Sequence, residues 1–259
     1  MSSLKVAILA GGYGSRLGED TELKPKPMVE IGGHPLLWHI MNHYGHYGHN
    51  EFYVALGYRG DYIKRYMSEQ LDTRGNMKVD FARGSVERLE HFSKDWQVNL
   101  IDTGSQTLTG GRILRLREYI GDSTFMLTWG DGVSNVNLDE LLEFHRSHDR
   151  LATVTAVRPP ARYGHIEISE DGKVSEFSEK PQTAEGWING AFFVLEPGIF
   201  DYIEGDMVMW EHAPMTNLAH DGQLMAYRHH GFWQCMDTRR DKQVLEDLWS
   251  SGEAPWMTP

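Results

Sequence analysis

Cysteine is almost absent from this chain of 259 residues, which contains only Cys235. A single thiol excludes an intrachain disulfide, and it excludes a zinc site built from several cysteines. No apolar run approaches the roughly 18 residues that a membrane span needs. The apolar run at residues 6–10 is also too short for the core of a signal peptide. We therefore expect a cytoplasmic protein with no membrane partner.

Positive charge is scarce as well, since 25 Lys and Arg stand against 37 Asp and Glu, a formal net charge of −12. A nucleic-acid-binding protein needs a basic surface for the phosphate backbone. The charge balance therefore argues against nucleic acid as a partner. It permits a small phosphorylated ligand, because a few fixed cations act at close range while remote charges are screened over about 8–10 Å.

The hydrophobic pattern alternates short strand-like runs with amphipathic segments, and no linker rich in Pro, Gly or Ser divides the chain. This pattern predicts an α/β fold: a Rossmann-like, mainly parallel sheet with helices on both faces, and a β-rich lobe from about residue 151 onwards. We expect strands at residues 4–10, 51–56, 77–81, 99–102, 123–128, 151–157, 166–168, 174–177, 191–195 and 224–228. We expect helices at residues 35–47, 61–70, 110–119, 138–148, 198–203, 211–219 and 239–250.

A glycine-rich loop follows the first strand directly and ends in an arginine: Gly11, Gly12, Tyr13, Gly14, Ser15, Arg16. Glycines let backbone N–H groups approach a phosphate, and Arg16 adds a planar cation suited to phosphate oxygens. The alternative interpretation is an ordinary turn with a solvated arginine. The loop lacks the Gly-Lys-Ser/Thr ending of a P-loop, and Leu17 stands where a dinucleotide fingerprint needs its third glycine. A nicotinamide oxidoreductase is therefore disfavoured.

Two lysines follow in the segment Lys24-Pro25-Lys26-Pro27. The prolines stiffen this segment, because each restricts its own backbone and that of the residue before it. A rigid backbone reduces the entropy that a lysine loses on binding a ligand. The alternative is a kinked surface loop with solvated lysines.

These motifs in this order resemble those of the sugar-1-phosphate nucleotidyltransferases. The glycine loop and Lys-Pro-Lys-Pro-Met-Val-Glu-Ile-Gly-Gly carry the resemblance first. It continues through Trp129-Gly130-Asp131-Gly132, Glu179-Lys180-Pro181 and Ile188-Asn189-Gly190 over nearly the whole chain. It implies one domain, residues 1–259, with a nucleotide-binding half to about residue 130 and a sugar-phosphate-binding half over about 131–240. A C-terminal helix and tail would extend to residue 259, and the resemblance also implies a homo-oligomer.

In this family an oxygen of a sugar 1-phosphate attacks the α-phosphorus of a nucleoside triphosphate, and pyrophosphate leaves. The sequence is most similar to members that use CTP and glucose 1-phosphate, so the implied product is CDP-glucose. A UTP- or dTTP-dependent enzyme remains open, as does a catalytically weak subunit that binds nucleotide sugars. The reaction requires no nucleophilic side chain, which fits a chain without a convincing Ser-His-Asp or Cys-His arrangement.

The resemblance also assigns roles to individual residues. The implied catalytic residues are Arg16, which would contact the pyrophosphate, Lys26, which would contact the α-phosphate, and Asp131. Mg²⁺, which favours carboxylate, phosphate and water oxygens, is expected on Asp131 and Asp237. The alternatives are an Asp-Gly turn for Asp131 and a helix N-cap for Asp237. The nucleotide-binding residues are Leu9, Ala10, Gly11, Gly12, Tyr13, Gly14, Ser15, Arg16, Lys26, Thr107, Arg112 and Gly130, and the sugar-phosphate-binding residues are Gly164, Glu179, Lys180, Asn189 and Gly190.

Two other features are interpreted without a catalytic role. His39 and His43 stand one helical turn apart, and we expect solvated or hydrogen-bonded histidines rather than a transition-metal site. Cys235 is expected to be a small buried hydrophobe rather than a reactive thiol.

Overall fold

A computed structural model describes residues 3–13, 24–73, 75–89, 94–159, 165–168, 174–178 and 186–257. Within these ranges no helix is long and apolar enough to cross a bilayer. The strands are β1 (Lys5–Ala10), β2 (Glu30–Ile31), β3 (His34–Pro35), β4 (Glu51–Leu56), β5 (Met77–Asp80), β6 (Ser85–Arg88), β7 (Gln97–Asp102), β8 (Phe125–Trp129), β9 (Gly132–Ser134), β10 (Ala152–Val157), β11 (His165–Ile168), β12 (Val174–Ser178), β13 (Ile188–Leu195), β14 (Leu224–Arg228) and β15 (Trp233–Cys235). The α-helices are α1 (Leu36–His46), α2 (Gly60–Thr73), α3 (Thr109–Arg115), α4 (Arg117–Ile120), α5 (Leu138–Arg146), α6 (Ala213–His220) and α7 (Arg239–Ser250), with 3₁₀ turns at Lys26–Met28, Pro197–Tyr202 and Pro255–Met257.

The main sheet has seven strands in the order β14-β10-β13-β8-β1-β4-β7. Strands β7, β4, β1 and β8 run parallel, as do β10 and β14, whereas β13 is antiparallel to both of its neighbours. The expected mainly parallel α/β sheet is therefore confirmed. The chain proceeds from β1 outwards to β4 and β7 and then returns to β8 on the other side of β1. Ligands of such sheets bind at this reversal, beyond the carboxyl ends of the strands.

Helices cover both faces of the sheet, because the side chains of β1 alternate between two cores. Val6 and Ile8 pack in one core with residues of α1, α5 and α7. Ala7 and Leu9 pack in the other core with residues of α3, α4 and the Pro197–Tyr202 turn. A strand buried on both faces reads as a continuous apolar run, which is why β1 is visible in the sequence.

Four small two-stranded sheets complete the described structure: β2 with β3, β5 with β6, β9 with β15, and β11 with β12. The hairpin of β11 and β12 belongs to the expected β-rich region. The sequence did not predict β2, β3, β6, β9 or β15, because strands this short carry too little alternation. The β9–β15 pair is important for the candidate site, because it places Gly132 opposite Cys235. It thereby brings the segment that contains Asp131 next to the segment that contains Asp237.

Two local expectations were wrong. Pro35 has an extended backbone and serves as the N-cap of α1, so the helix begins one residue later than predicted. The predicted helix at residues 110–119 is two helices that meet at Leu116. His39 and His43, expected to be solvated or hydrogen-bonded, are 0% and 3% exposed. His39 is hydrogen-bonded to the carbonyl oxygen of Ile31 and to the indole N–H of Trp256. Both histidines face the core because α1 lies against the sheet with that side.

Candidate active site

A cavity of about 450 Å³ opens at the carboxyl edge of the sheet, where β1 and β8 end. Its walls come from segments far apart in the sequence, and three of these segments follow the parallel strands β1, β7 and β8. The residues that line it are Leu9, Ala10, Gly11, Gly12, Tyr13, Lys26, Pro27, Ser105, Gln106, Thr107, Leu108, Thr109, Arg112, Trp129, Gly130, Asp131, Met207, Met209 and Asp237. The fold thus brings together every expected nucleotide-binding residue that the structure describes. Gly14, Ser15 and Arg16 lie outside the described residues.

Arg112 ties the ends of three strands together beneath this cavity. Its Nη1 donates to the carbonyl oxygens of Leu56 (2.9 Å) and Gly104 (2.8 Å) and to Oγ1 of Thr103 (2.8 Å). Its Nη2 donates to the carbonyl oxygen of Gly11 at 3.1 Å. Burial lowers the pKa of Arg112, but a guanidinium remains charged at neutral pH. These contacts make Arg112 a support for the glycine loop, and its expected contact with the nucleotide stays a prediction.

The two described glycines at the start of the loop differ in their surroundings. A Cβ on Gly11 would lie 2.3 Å from Cζ of Arg112, whereas a Cβ on Gly12 would meet no atom within 4 Å. Gly11 therefore permits close packing against protein, and Gly12 leaves its backbone open to the cavity. Tyr13 continues the wall, where its hydroxyl accepts a hydrogen bond from Nε2 of Gln106 at 3.0 Å.

Lys26 lies between the two acidic residues of the cavity. Its Nζ donates to Oδ2 of Asp131 at 2.9 Å and to Oδ1 of Asp237 at 2.5 Å. Burial lowers the pKa of Lys26, but the charge of Asp131 and the hydrogen bonds to both carboxylates outweigh it and raise the pKa to about 12. Lys26 therefore stays positively charged at neutral pH. Lys24 pairs instead with Glu30, at 3.4 Å.

Asp131 is held by the turn between β8 and β9. The N–H of Gly130 donates to the carbonyl oxygen of Leu9 at 2.9 Å, and the N–H of Met236 donates to the carbonyl oxygen of Asp131 at 2.8 Å. A Cβ on Gly130 would come within 2.8 Å of Cγ of Pro27. The Asp-Gly turn considered from the sequence is thus present, and it is this turn that directs Asp131 into the cavity.

Asp237 does not cap the helix that follows it. Thr238 is the N-cap of α7, and its hydroxyl and the carboxylate of Asp241 form a reciprocal capping box. Oδ2 of Asp241 also accepts from the N–H of Asp237 at 3.1 Å. The N-cap interpretation of Asp237 is wrong, because Thr238 and Asp241 satisfy the helix terminus and leave the Asp237 carboxylate to face Lys26.

The chemistry of this cluster fits a divalent cation. Ligand atoms of Asp131, Cys235 and Asp237 all lie within 4.8 Å of one another. Burial of the Cys235 thiol, with the negative charge of Asp131, raises its pKa far above the usual range. Because a thiol binds metal as the thiolate, the effective donors are the two carboxylates. Oxygen donors of this kind suit Mg²⁺, which usually keeps water and takes phosphate oxygens as further ligands.

Glu211 is a cavity support that the sequence did not reveal. Its Oε1 accepts from Nε1 of Trp129 at 3.0 Å, and its Oε2 accepts from Oγ1 of Thr109 at 2.6 Å. These bonds link the end of β8 to the start of α3, beside the expected site residue Thr107. Glu211 stands in no motif, so only the fold identifies it. The same holds for Met207 and Met209, apolar residues of the cavity wall that are 69% and 39% exposed.

The described sugar-phosphate-binding candidates lie apart from this cavity. Asn189 and Gly190 are at the start of β13, on the same edge of the sheet as the ends of β8 and β1. Gly190 packs tightly, since a Cβ there would lie 2.7 Å from Cγ1 of Val157, and its carbonyl oxygen accepts from Nε1 of Trp233 at 2.8 Å. Gly164, Glu179 and Lys180 fall outside the described residues.

Known proteins resemble this chain along its whole length. The nucleotidyl transferase family model matches residues 5–217. A glucose-1-phosphate cytidylyltransferase from Salmonella typhi is 45% identical over 256 residues, covering 98% of this chain and 99% of that protein. A probable glucose-1-phosphate cytidylyltransferase from Bacillus subtilis (strain 168) is 43% identical over 254 residues, with the same coverage of each chain.

Solved structures share the fold. HddC from Yersinia pseudotuberculosis superposes with a TM-score of 0.70 at 24% identity, covering 95% of this chain and 99% of that one. A sheet of this topology, a cavity at its switch point and relatives of this similarity over the full length agree with one another. The chain belongs to the nucleotidyl transferase family.

Proposed function

We propose that this chain converts CTP and glucose 1-phosphate to CDP-glucose and pyrophosphate. The observation that carries the proposal is the cluster of Lys26, Asp131 and Asp237 beside the open backbone of Gly12. A fixed cation and two carboxylates next to a glycine loop suit a triphosphate with its metal ion. The names of the relatives with 43% and 45% identity supply the base and the sugar.

The reaction needs two polyanions brought into line and their charge neutralised. A phosphate oxygen of glucose 1-phosphate forms a bond to the α-phosphorus of CTP, and the bond from that phosphorus to the bridging oxygen of pyrophosphate breaks. Lys26 is proposed to donate to an α-phosphate oxygen as charge moves onto the leaving group. Arg16, outside the described residues, is proposed to bind the pyrophosphate.

Asp131 and Asp237 are proposed to hold Mg²⁺. When bound, this cation supplies Lewis acidity to the phosphates and orients them. The chain's own contribution is to position both carboxylates. The β8–β9 turn positions Asp131, and the Thr238–Asp241 capping box satisfies the start of α7, so that the Asp237 carboxylate faces Lys26.

The nucleotide is proposed to lie along the glycine loop. The backbone of Gly11, Gly12 and Tyr13, continued by Gly14 and Ser15, is expected to contact the triphosphate. The open side of Gly12 makes this possible. Leu9, Ala10, Thr107, Arg112 and Gly130 also line the cavity.

The sugar phosphate is proposed to lie on the β13 side of the same sheet edge. Asn189 and Gly190 would contact the sugar together with Gly164, Glu179 and Lys180. Positive charge is close by, because Cζ of Arg158 lies 4.6 Å from the centre of the Trp187 ring and Cζ of Arg228 lies 5.9 Å from it. An aromatic face beside guanidinium groups suits a phosphorylated sugar. We further propose that the enzyme is a cytoplasmic homo-oligomer.

The proposal is tested by measuring pyrophosphate release with CTP, UTP, dTTP and GTP, each against several sugar 1-phosphates. We expect the highest kcat/KM for CTP with glucose 1-phosphate. A preference for UTP or dTTP would contradict the base assignment alone. No release from any pair would favour the alternative of a subunit that only binds nucleotide sugars.

A further inference from the structure

The ammonium of Lys26 occupies the space between the carboxylates of Asp131 and Asp237. Both contacts are short, at 2.9 and 2.5 Å, and the Lys26 side chain is only 12% exposed. The ammonium therefore uses carboxylate oxygens of the same pair that forms the candidate cation site.

This arrangement is built into the backbone. Pro25 caps the 3₁₀ turn that carries Lys26, and the N–H of Met28 donates to the carbonyl oxygen of Pro25 at 2.8 Å. Pro27 packs against Gly130, directly before Asp131. The base of the lysine is thus fixed relative to the acid it contacts, while its four-carbon chain keeps several rotatable bonds.

Lys26 also lines the cavity in which the nucleotide is proposed to bind. A rotation of the side chain can therefore take the ammonium from the carboxylates to a phosphate oxygen without moving the 3₁₀ turn. An ammonium and a divalent cation repel each other at such short range, and both draw on the same two carboxylates.

We propose that Lys26 competes with the divalent cation for Asp131 and Asp237 until a phosphate group draws the ammonium away. The inference rests on the proposed function, because it assigns this site to the cation and to the nucleotide. It makes the two ligands cooperative, since whatever removes the ammonium from the carboxylates strengthens cation binding, and the coupling is reciprocal.

The test measures Mn²⁺ binding to the whole protein without substrates, by loss of the electron paramagnetic resonance signal of the hydrated ion. We expect Lys26→Met to bind Mn²⁺ at least about tenfold more tightly than the unmodified chain, a typical size for coupling between sites. Lys26→Arg keeps a positive charge and is expected to bind weakly, like the unmodified chain. The double variant Lys26→Met with Asp131→Asn is expected to lose the tighter Mn²⁺ binding of Lys26→Met.

CMP provides the second arm, because its single phosphate binds free Mn²⁺ weakly yet offers the ammonium an acceptor. We expect CMP to tighten Mn²⁺ binding by the unmodified chain and to have little effect on Lys26→Met. Circular dichroism of each variant checks that it is folded.

Equal or weaker Mn²⁺ binding by folded Lys26→Met would overturn the competition, and so would a gain that survives Asp131→Asn. The Mn²⁺ measurements can fail independently of the proposed synthesis of CDP-glucose. A chain that makes CDP-glucose without the Mn²⁺ effect refutes only the competition, and one that shows the effect without making CDP-glucose refutes only the reaction.

Discussion

The guanidinium of Arg112 lies directly against Gly11. Nη2 of Arg112 donates to the carbonyl oxygen of Gly11, and a Cβ on that glycine would lie 2.3 Å from Cζ of the arginine. The first residue of the glycine loop is therefore a packing position. The second, Gly12, has open space in front of it. Of these two adjacent glycines, Gly11 therefore allows packing against Arg112 and Gly12 leaves its backbone open to the cavity.

Alanine at these two positions is expected to separate stability from binding. Gly11→Ala forces Arg112 from its acceptors and should lower the melting temperature by several degrees, since disrupting buried hydrogen bonds costs about 1–3 kcal/mol. Gly12→Ala should leave the melting temperature unchanged but raise the KM for CTP, because its methyl group enters the cavity. Thermal unfolding and steady-state kinetics measure both effects. Equal melting temperatures for the two variants would contradict this distinction.

Arg112→Met removes four donated hydrogen bonds while keeping an apolar chain of similar length. We expect a loss of about 3 kcal/mol in the free energy of unfolding, because buried carbonyl groups lose a charged partner. Arg115→Met on the same helix is the matched control. Its guanidinium pairs with Asp206 at the surface and donates one hydrogen bond to the carbonyl oxygen of Thr103 at 3.2 Å. Exposed ion pairs contribute about 1 kcal/mol or less, so the smaller loss is expected for Arg115→Met. Urea unfolding compares the two, and an equal loss would refute the support role of Arg112.

The sequence predicted the parts of this molecule that repeat a strong pattern, and it could not predict those that depend on distant contacts. Buried β1 is a continuous apolar run, so both the strand and the loop after it were found. The three-residue strands β9 and β15 have no such pattern, although their pairing joins Asp131 to Asp237.

Single residues show the same limit. Glu211 supports the cavity through two side-chain contacts that exist only in the folded chain. Asp237 offered two interpretations from the sequence, a metal ligand or a helix cap. The second was removed only when Thr238 was found capping α7.

Acid should destabilise the protein through its buried histidines. The indole N–H of Trp256 donates to Nδ1 of His39, so His39 is neutral and its Nε2–H donates to the carbonyl oxygen of Ile31. Burial lowers the pKa of His39 to about 4. Between pH 4 and 6.5 the unfolded chain thus binds a proton at this residue that the folded chain does not. Stability therefore falls as the pH drops through this window.

For His39 alone the loss is about 2 kcal/mol between roughly pH 7.5 and pH 5. His39→Gln, which cannot titrate, should show a correspondingly smaller change in unfolding free energy over the same interval. Chemical unfolding of both proteins at the two pH values gives the change in unfolding free energy with pH. An identical change in both proteins would mean that His39 does not contribute to the loss of stability in acid.

Lys26→Ala is expected to reduce kcat by about 10²–10³, the usual cost of removing one fixed donor to developing charge. Lys24→Ala is the control two residues away, because Lys24 pairs with Glu30 instead of Asp131 and Asp237. It should retain turnover within about threefold, as expected for an exposed ion pair. Both variants are compared under saturating substrates. Similar kcat values for Lys26→Ala and Lys24→Ala would contradict a catalytic role for Lys26.

Removal of divalent metal is expected to stop turnover. Asp131 and Asp237 are the proposed oxygen ligands. With the metal chelated, the phosphates would lose the ion that neutralises their charge. Excess EDTA should abolish pyrophosphate release, and Mg²⁺ added beyond the chelator should restore it. Full activity in EDTA would contradict the metal assignment.

Phosphorus NMR of a mixture of CTP, glucose 1-phosphate and Mg²⁺ tests the central claim most directly, because substrates and products give separate resonances. The account predicts that the unmodified chain produces the diphosphate signals of CDP-glucose together with pyrophosphate, and that Asp131→Asn produces almost none in the same time. Unchanged substrate resonances with the unmodified chain, or equal conversion by Asp131→Asn, would contradict it.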